Sequence, residues 1–266
     1  MLEPAQRASA AQLLWTAERD RSPVKPLTDT YPGIDAVDAY EIQLINIRRR
    51  LAAGARVVGH KVGLSSPVMQ QMMGVDEPDY GHLLDTMVLA PDEPVRADRY
   101  CYPRVEVEIA YVLGAALPGE GCTEEDVLAS TEYIVPSLEL IDSRIVDWRI
   151  RLADTIADNA SSAGVILSGN KAALTGRQVA GRDVADIDVV LYADDREVAR
   201  GNTSAVLGDP TTAVAWLARK VATFGVRLEA GHVILPGSCT RAVDVHPGET
   251  FRAEFTGLGH VTARFE

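Results

Sequence analysis

Glu106 and Glu108 occupy alternate positions in R-V-E-V-E-I-A-Y-V-L (residues 104–113), a run rich in β-branched side chains that alternates at period two. Such a run is read as a strand, on which residues i and i+2 share a face. The two carboxylates then project side by side, while Val105, Val107 and Ile109 point toward the core. Adjacent carboxylates repel when ionised and raise each other's pKa unless a cation intervenes. Glu139 lies in V-P-S-L-E-L-I-D, an otherwise apolar strand spanning roughly 133–141, where a lone buried carboxylate is costly. Three carboxylates with no nitrogen or sulfur ligand suit a hard divalent ion, Mg²⁺ or Mn²⁺. The competing reading is a solvated strand face with Glu139 at the surface. Spacing alone leaves both open.

Lys61 sits in the glycine-flanked apolar segment G-H-K-V-G-L. A lysine there either snorkels to water or is held inward as a functional ammonium or amine. His60 faces the other side of an extended segment and is read as structural. D-E-P-D-Y-G-H (76–82) reads as a loop, in which Asp79 is either a general acid/base or a turn former. Ser161 and Ser162 precede an apolar run and offer hydroxyls or amides to an anion, but no G-x-S-x-G elbow or partnered histidine supports them as nucleophiles. L-P-G-S-C-T (235–240) ends a strand in a turn whose N–H groups at Gly237 and Ser238 either cradle a carboxylate or simply reverse the chain. G-L-G-H-V-T near the C-terminus lacks the third glycine and the helix of a dinucleotide fingerprint.

Positioning these groups requires a mixed set of elements. Residues 9–19 read as a short helix, followed by a loop with Pro23, Pro26 and Pro32. Asp35 caps a helix running to about Leu51, with Val37, Tyr40, Leu44, Ile47 and Leu51 on one face and Gly54 at its end. Residues 56–64 form a strand, 65–75 a helical turn opened by Ser66 and Pro67, and Thr123 starts a helix over 123–129. The C-terminal half is mostly strand, at 189–193, 231–235, 251–255 and 261–265. One helix interrupts it, capped by Asp209, opened by Pro210 and ended by Gly225, with Val214, Leu217, Val221 and Phe224 on one face. The expected architecture is α+β, a helical N-terminal segment packed on a body of mixed or antiparallel sheet.

Composition removes other classes. The 266 residues carry 26 Lys+Arg against 38 Asp+Glu, a net charge of −12 that argues against nucleic-acid binding. The densest basic run, Arg48 to Arg50, ends a helix and reads as macrodipole compensation. No apolar run reaches transmembrane length, and M-L-E-P-A-Q-R lacks a secretory pattern. Cys101, Cys122 and Cys239 are isolated and odd in number, and the five histidines are scattered, so free thiols, a cytoplasmic setting and no zinc site are expected.

The stretches V-V-G-H-K-V-G-L, G-V-D-E-P-D-Y-G, R-V-E-V-E-I-A, S-L-E-L-I-D-S-R-I-V-D-W, D-T-I-A-D-N-A-S-S and W-L-A-R-K occur in that order. With the terminal G-L-G-H-V-T they resemble, over nearly the whole chain, one enzyme family. It is the 2-hydroxypenta-2,4-dienoate (2-oxopent-4-enoate) hydratase and 4-oxalocrotonate decarboxylase family of the fumarylacetoacetate-hydrolase-like superfamily. The resemblance implies a mixed β-sandwich or roll core at 56–266 under an N-terminal helical cap at 1–55, in a homo-oligomer. It assigns Glu106, Glu108 and Glu139 to Mg²⁺ or Mn²⁺, Lys61 and Asp79 to polar catalytic positions, and Ser161 to a substrate contact; Gly237 and Ser238 are substrate-binding candidates from the turn at 235–240 and not from the resemblance. The implied reaction hydrates a 2-hydroxy-2,4-dienoate of meta-cleavage catabolism of aromatics or steroids; decarboxylation of 2-oxo-3-hexenedioate is the alternative. Association with another enzyme of the same pathway is a further implication. At 235–240 many hydratases read L-T-G or L-S-G, where this chain has L-P-G, which bears on side-chain preference of the substrate and not on the carboxylates.

Overall fold

The computed structural model describes residues 1–66, 70–71, 75 and 77–266. Three helices open the chain, α1 (Pro4–Asp20), α2 (Leu27–Thr30) and α3 (Ala36–Ala52). Helix α1 begins well before residue 9, because Pro4 is preset for the first helical position and the Gln6 side chain accepts the Glu3 N–H at 2.9 Å. The Asp35 carboxylate accepts the Asp38 N–H and caps α3 as expected. The buried stripe of α3 differs from the predicted one: Tyr40, Leu44 and Ile47 are buried, but Val37 and Leu51 at its ends are exposed and the polar Gln43 is buried instead. The basic run at its end does more than oppose a dipole. Arg49 and Arg50 lie over the Trp15 ring, at 4.8 and 5.1 Å from its centroid, and Arg50 pairs with Glu18, tying α3 to α1.

The body is built on a mixed sheet of strands β1 (Val57–Gly63), β2 (Asp79–Leu84), β3 (Val88–Leu89), β4 (Arg104–Leu113), β5 (Thr131–Ile141), β6 (Ser162–Leu167), β12 (Val233–Leu235) and β13 (Val243–Asp244). Its order is β2-β1-β12-β4-β5-β6-β3, with β13 also pairing β4; β1–β12 and β3–β6 are parallel and the other pairs antiparallel. Strand β2 also lies against β6, so the sheet curls into a half-barrel. Between β4 and β5 runs α4 (Glu124–Ser130), capped by Thr123. Strands β7 (Leu174–Thr175), β8 (Gln178–Val179) and β9 (Arg182–Asp183) form a small meander. Strands β10 (Asp188–Ala193), β11 (Arg196–Asn202), β14 (Thr250–Phe255) and β15 (Gly259–Arg264) form an antiparallel sheet ordered β11-β10-β14-β15, packed on β5. The short helix α5 (Leu152–Ala157) packs on α3, and α6 (Pro210–Ala222) packs on α4 and β1.

The α+β reading is borne out. One expectation is corrected: 76–82 is not wholly a loop, because Asp79 opens β2, all six of whose residues are buried. A strand covered on both faces shows no alternation to read. The helical turn expected over 65–75 falls largely outside the described residues. Helices and both large sheets share one core, running from Ala10, Leu14 and Tyr40 through Val107 and Ile109 to Phe251 and Phe255. Among the described residues, no helix is long and apolar enough to cross a membrane.

Candidate metal and active site

Strand register gathers the acidic residues. Glu106 on β4 stands directly opposite Glu139 on β5, and Glu108 is two residues along the same face. Like charges directly opposite each other destabilise a sheet, so the pair has no structural rationale of its own. Glu108 and Glu139 are fully buried, and one carboxylate oxygen from each of the three lies within 4.8 Å of the others. Glu108 Oε1 and both oxygens of Glu139 are buried without a hydrogen-bond partner among the described residues. Burial pushes all three carboxyls above the ordinary glutamate range; at Glu108 the neighbouring Glu139 and Glu106 add to it.

The same register brings in Lys61, which stands opposite Gly81 of β2 and Leu235 of β12 and so shares the inner face. Its ammonium is buried, donates to Ala160 O at 2.9 Å and lies 3.5 Å from Glu139 Oε2. It points inward and does not snorkel. Burial alone would lower its pKa, but the carboxylates of Glu139, Asp79, Glu106 and Glu108 outweigh that and hold it above the usual lysine range. The geometry, Nζ set against a carboxylate and a backbone carbonyl, suits an ammonium. Below these groups, Leu83, Ala110, Val112, Val135, Val165 and Leu235 form a buried apolar floor inside the curl.

Asp79 stands across from Gly63, with Oδ2 accepting from Thr155 Oγ1 at 2.6 Å. The next contribution comes from a turn at 159–161, where Asn159, Ala160 and Ser161 take successive left-handed conformations with φ of 55°, 50° and 58°. For non-glycine residues each such conformation costs roughly 1–2 kcal/mol. Asn159 holds the turn in place: its Oδ1 accepts the His82 N–H at 2.8 Å and its Nδ2 donates to His82 O at 2.9 Å. The turn presents Ala160 O to Lys61 and leaves the buried Ser161 and Ser162 hydroxyls without partners among the described residues.

The turn at 235–240 does cradle a carboxylate, and that carboxylate is the protein's own. The Gly237 N–H donates to Glu108 Oε2 at 2.7 Å. Gly237 has φ of 126°, and a side chain there would collide with Ser65, so glycine is required. The Ser238 hydroxyl accepts the Val107 N–H at 3.2 Å and lines a cavity of about 570 Å³. Glu106, Gly63, Arg104, Arg200 and Arg241 share that wall. Sequence reasoning missed Thr155 and Asn159, whose partners lie 76 and 77 positions away, and it missed the meeting of His60, His82 and His232 on the opposite face of the sheet.

The pattern described as Fumarylacetoacetate (FAA) hydrolase C-terminal matches residues 58–266. The chain belongs to that family. Within the fumarylacetoacetate hydrolase family, it is 43% identical over 265 residues to a 2-keto-4-pentenoate hydratase of Paraburkholderia xenovorans (strain LB400), covering 100% of this chain and 97% of the relative. It is 40% identical to a 2-hydroxyhexa-2,4-dienoate hydratase of Comamonas testosteroni, covering 96% of this chain and 95% of that one. Among solved structures, 4-oxalocrotonate decarboxylase from Pseudomonas putida G7, complexed with magnesium and adipate, superposes with a TM-score of 0.94 at 35% identity, covering 100% of this chain and 99% of that one.

Proposed function

We propose that this protein is a divalent-metal-dependent hydro-lyase that adds water to 2-hydroxypenta-2,4-dienoate or its methyl homologue, giving a 4-hydroxy-2-oxo acid. The observation that carries this reading is the convergence of Glu106, Glu108 and Glu139 on one buried face beside the Lys61 ammonium. Their orphaned oxygens fit a hard cation, and Mg²⁺ or Mn²⁺ is the ion proposed. Such an ion supplies Lewis acidity toward the C1 carboxylate and C2 oxygen of a 2-oxo acid.

The chain's own residues do the rest. Three carboxylates exceed the charge of a divalent ion, and Lys61 supplies positive charge where an anionic substrate must sit. Asp79 Oδ1, the carboxylate oxygen not tied to Thr155, moves a proton or orients the attacking water. The Ser161 hydroxyl contacts the substrate and Ser238 forms part of the cavity wall. Gly237, its N–H committed to Glu108, acts by orienting that carboxylate. The apolar floor keeps water out from below, so addition occurs from the cavity side.

The alternative, decarboxylation of 2-oxo-3-hexenedioate, needs a cation for the distal carboxylate. Arg104, Arg200 and Arg241 line the cavity, but Arg104 is paired with Asp244 at 2.7 Å and Arg200 with Glu197 at 2.8 Å. Arg241 donates to Val198 O and has no carboxylate partner among the described residues, so the hydratase reading is supported by the likeness to the hydratases at 43% and 40% identity and not by the arginines. The proposal extends to a cytoplasmic homo-oligomer of meta-cleavage catabolism of aromatics or steroids, associated with another enzyme of its pathway, with segment 1–55 capping the catalytic body at 56–266. Incubating the purified protein and Mg²⁺ with 2-hydroxydienoates of graded tail length and with 2-oxo-3-hexenedioate tests the reaction. The expected result is loss of dienol absorbance with a 4-hydroxy-2-oxo product and no CO₂. Stoichiometric CO₂ from the dicarboxylate without hydration of the monoacids overturns it.

A further inference from the structure

Asp79 is held in an arrangement that leaves one carboxylate oxygen anchored and the other free. It opens β2 with 4% exposure, and Oδ2 accepts a 2.6 Å hydrogen bond from the Thr155 hydroxyl. Oδ1 is equally enclosed yet has no partner among the described residues. Oδ1 lies close against residue 63 because that residue is glycine: a Cβ there would collide with Oδ1 and stand 3.0 Å from Lys61 Nζ. The unpartnered oxygen and the ammonium thus approach the same glycine, which lines the cavity wall with Glu106.

The terminal torsion of an aspartate is broad, so burial alone does not select the orientation of the carboxylate plane. Thr155 selects it. Its own side chain is β-branched, restricted in rotation and 1% exposed. Helix α5, which carries it, is locked from the neighbouring position: Asp154 accepts the Thr28 N–H at 3.0 Å, the Thr28 hydroxyl at 2.8 Å and the Arg151 N–H at 2.9 Å. A rigid donor therefore fixes the plane of the Asp79 carboxylate. We propose that Thr155 is a positioning residue, acting through Asp79 by holding Oδ1 toward the substrate. This rests on the reading of Asp79 as the proton-transfer or water-orienting group.

Thr155→Val keeps the shape and removes the donor; Thr155→Ser keeps the donor. Steady-state kinetics with Mg²⁺, Mg²⁺ affinity by calorimetry and thermal melting separate the possibilities. For Thr155→Val, kcat falls about tenfold, the scale of one charge-assisted hydrogen bond. KM and Mg²⁺ affinity stay within about twofold, and Thr155→Ser restores kcat to within about threefold of the wild type. In an Asp79→Asn background, followed in single turnovers with enzyme in excess, Thr155→Val costs nothing further. Wild-type kcat in Thr155→Val, a loss that serine does not restore, or an equal loss in the Asp79→Asn background overturns the proposal and leaves the role of Asp79 standing. Wild-type kcat in Asp79→Asn instead removes the reading on which it rests.

Discussion

Lys61 and His60 are neighbours on β1 and both are buried, yet the strand sends them into opposite surroundings. On the inner face Lys61 meets Glu139, Asp79, Glu106 and Glu108, and several carboxylate oxygens stay unpartnered among the described residues. On the outer face His60 packs against His82 and His232, with ring centroids 4.8 and 5.6 Å apart. There His82 Nδ1 lies 2.7 Å from Gln43 Oε1, and His232 Nδ1 accepts the Glu229 N–H at 3.1 Å. Burial pushes the His82 imidazole down to about 4 and that of His60 well below the usual range, so the rings are neutral. Both faces bury titratable groups. The outer face resolves the cost by neutrality, leaving the neutral Tyr40 and Tyr80 hydroxyls unpartnered among the described residues, whereas the inner face retains charge and orphaned carboxylate oxygens, which is the signature of a site prepared for a ligand.

Substitutions on the two faces should therefore differ in kind. The largest effect belongs to Glu106→Gln, which is expected to reduce metal-dependent turnover by about a thousandfold or more while thermal melting stays near wild type. Normal turnover in metal-free buffer would remove the contrast altogether. Lys61→Met comes next. Taking one partner from a buried ion pair should destabilise the metal-free protein by about 3 kcal/mol in urea unfolding, with turnover down about a hundredfold. An unchanged steady state would make Lys61 structural.

The outer face should respond to pH and leave catalysis alone. Between the ordinary histidine pKa and about 4, the unfolded chain is protonated at position 82 and the folded chain is not. Lowering the pH through that window therefore favours unfolding, by on the order of 3 kcal/mol from His82, and above it the effect vanishes. His82→Leu should flatten that part of the profile relative to wild type. At pH 7 it should cost about 1–2 kcal/mol, since Gln43 Oε1 loses its partner, with kcat within about twofold. A large loss of kcat would mean that the histidine side belongs to the active site.

The inner face was legible where local pattern sufficed. Period-two alternation over 104–113 put Glu106 and Glu108 on one face, and the caps at Asp35, Thr123 and Asp209 located helix starts. Both signals act within a few residues. The meeting of Glu139 with Glu106 and Glu108 is one of two readings of the residues and an implication of the resemblance; what escaped depends on long-range pairing, since the Thr155–Asp79 bond and the three-histidine contact join segments whose spacing carries no trace of their meeting. Strand β2 was hidden by burial on both faces. The left-handed turn at 159–161 was hidden because it uses no glycine, its strain being held by Asn159 and not by backbone freedom.

Titration of the metal-free protein with Mn²⁺, followed by electron paramagnetic resonance, tests the central claim most directly. Wild type should bind one ion per chain. Glu139→Gln should weaken that binding by more than the roughly 10–100-fold that loss of an outer-shell partner brings. Undiminished Mn²⁺ binding by Glu139→Gln would show that the carboxylates of β4 and β5 do not grip a common ion.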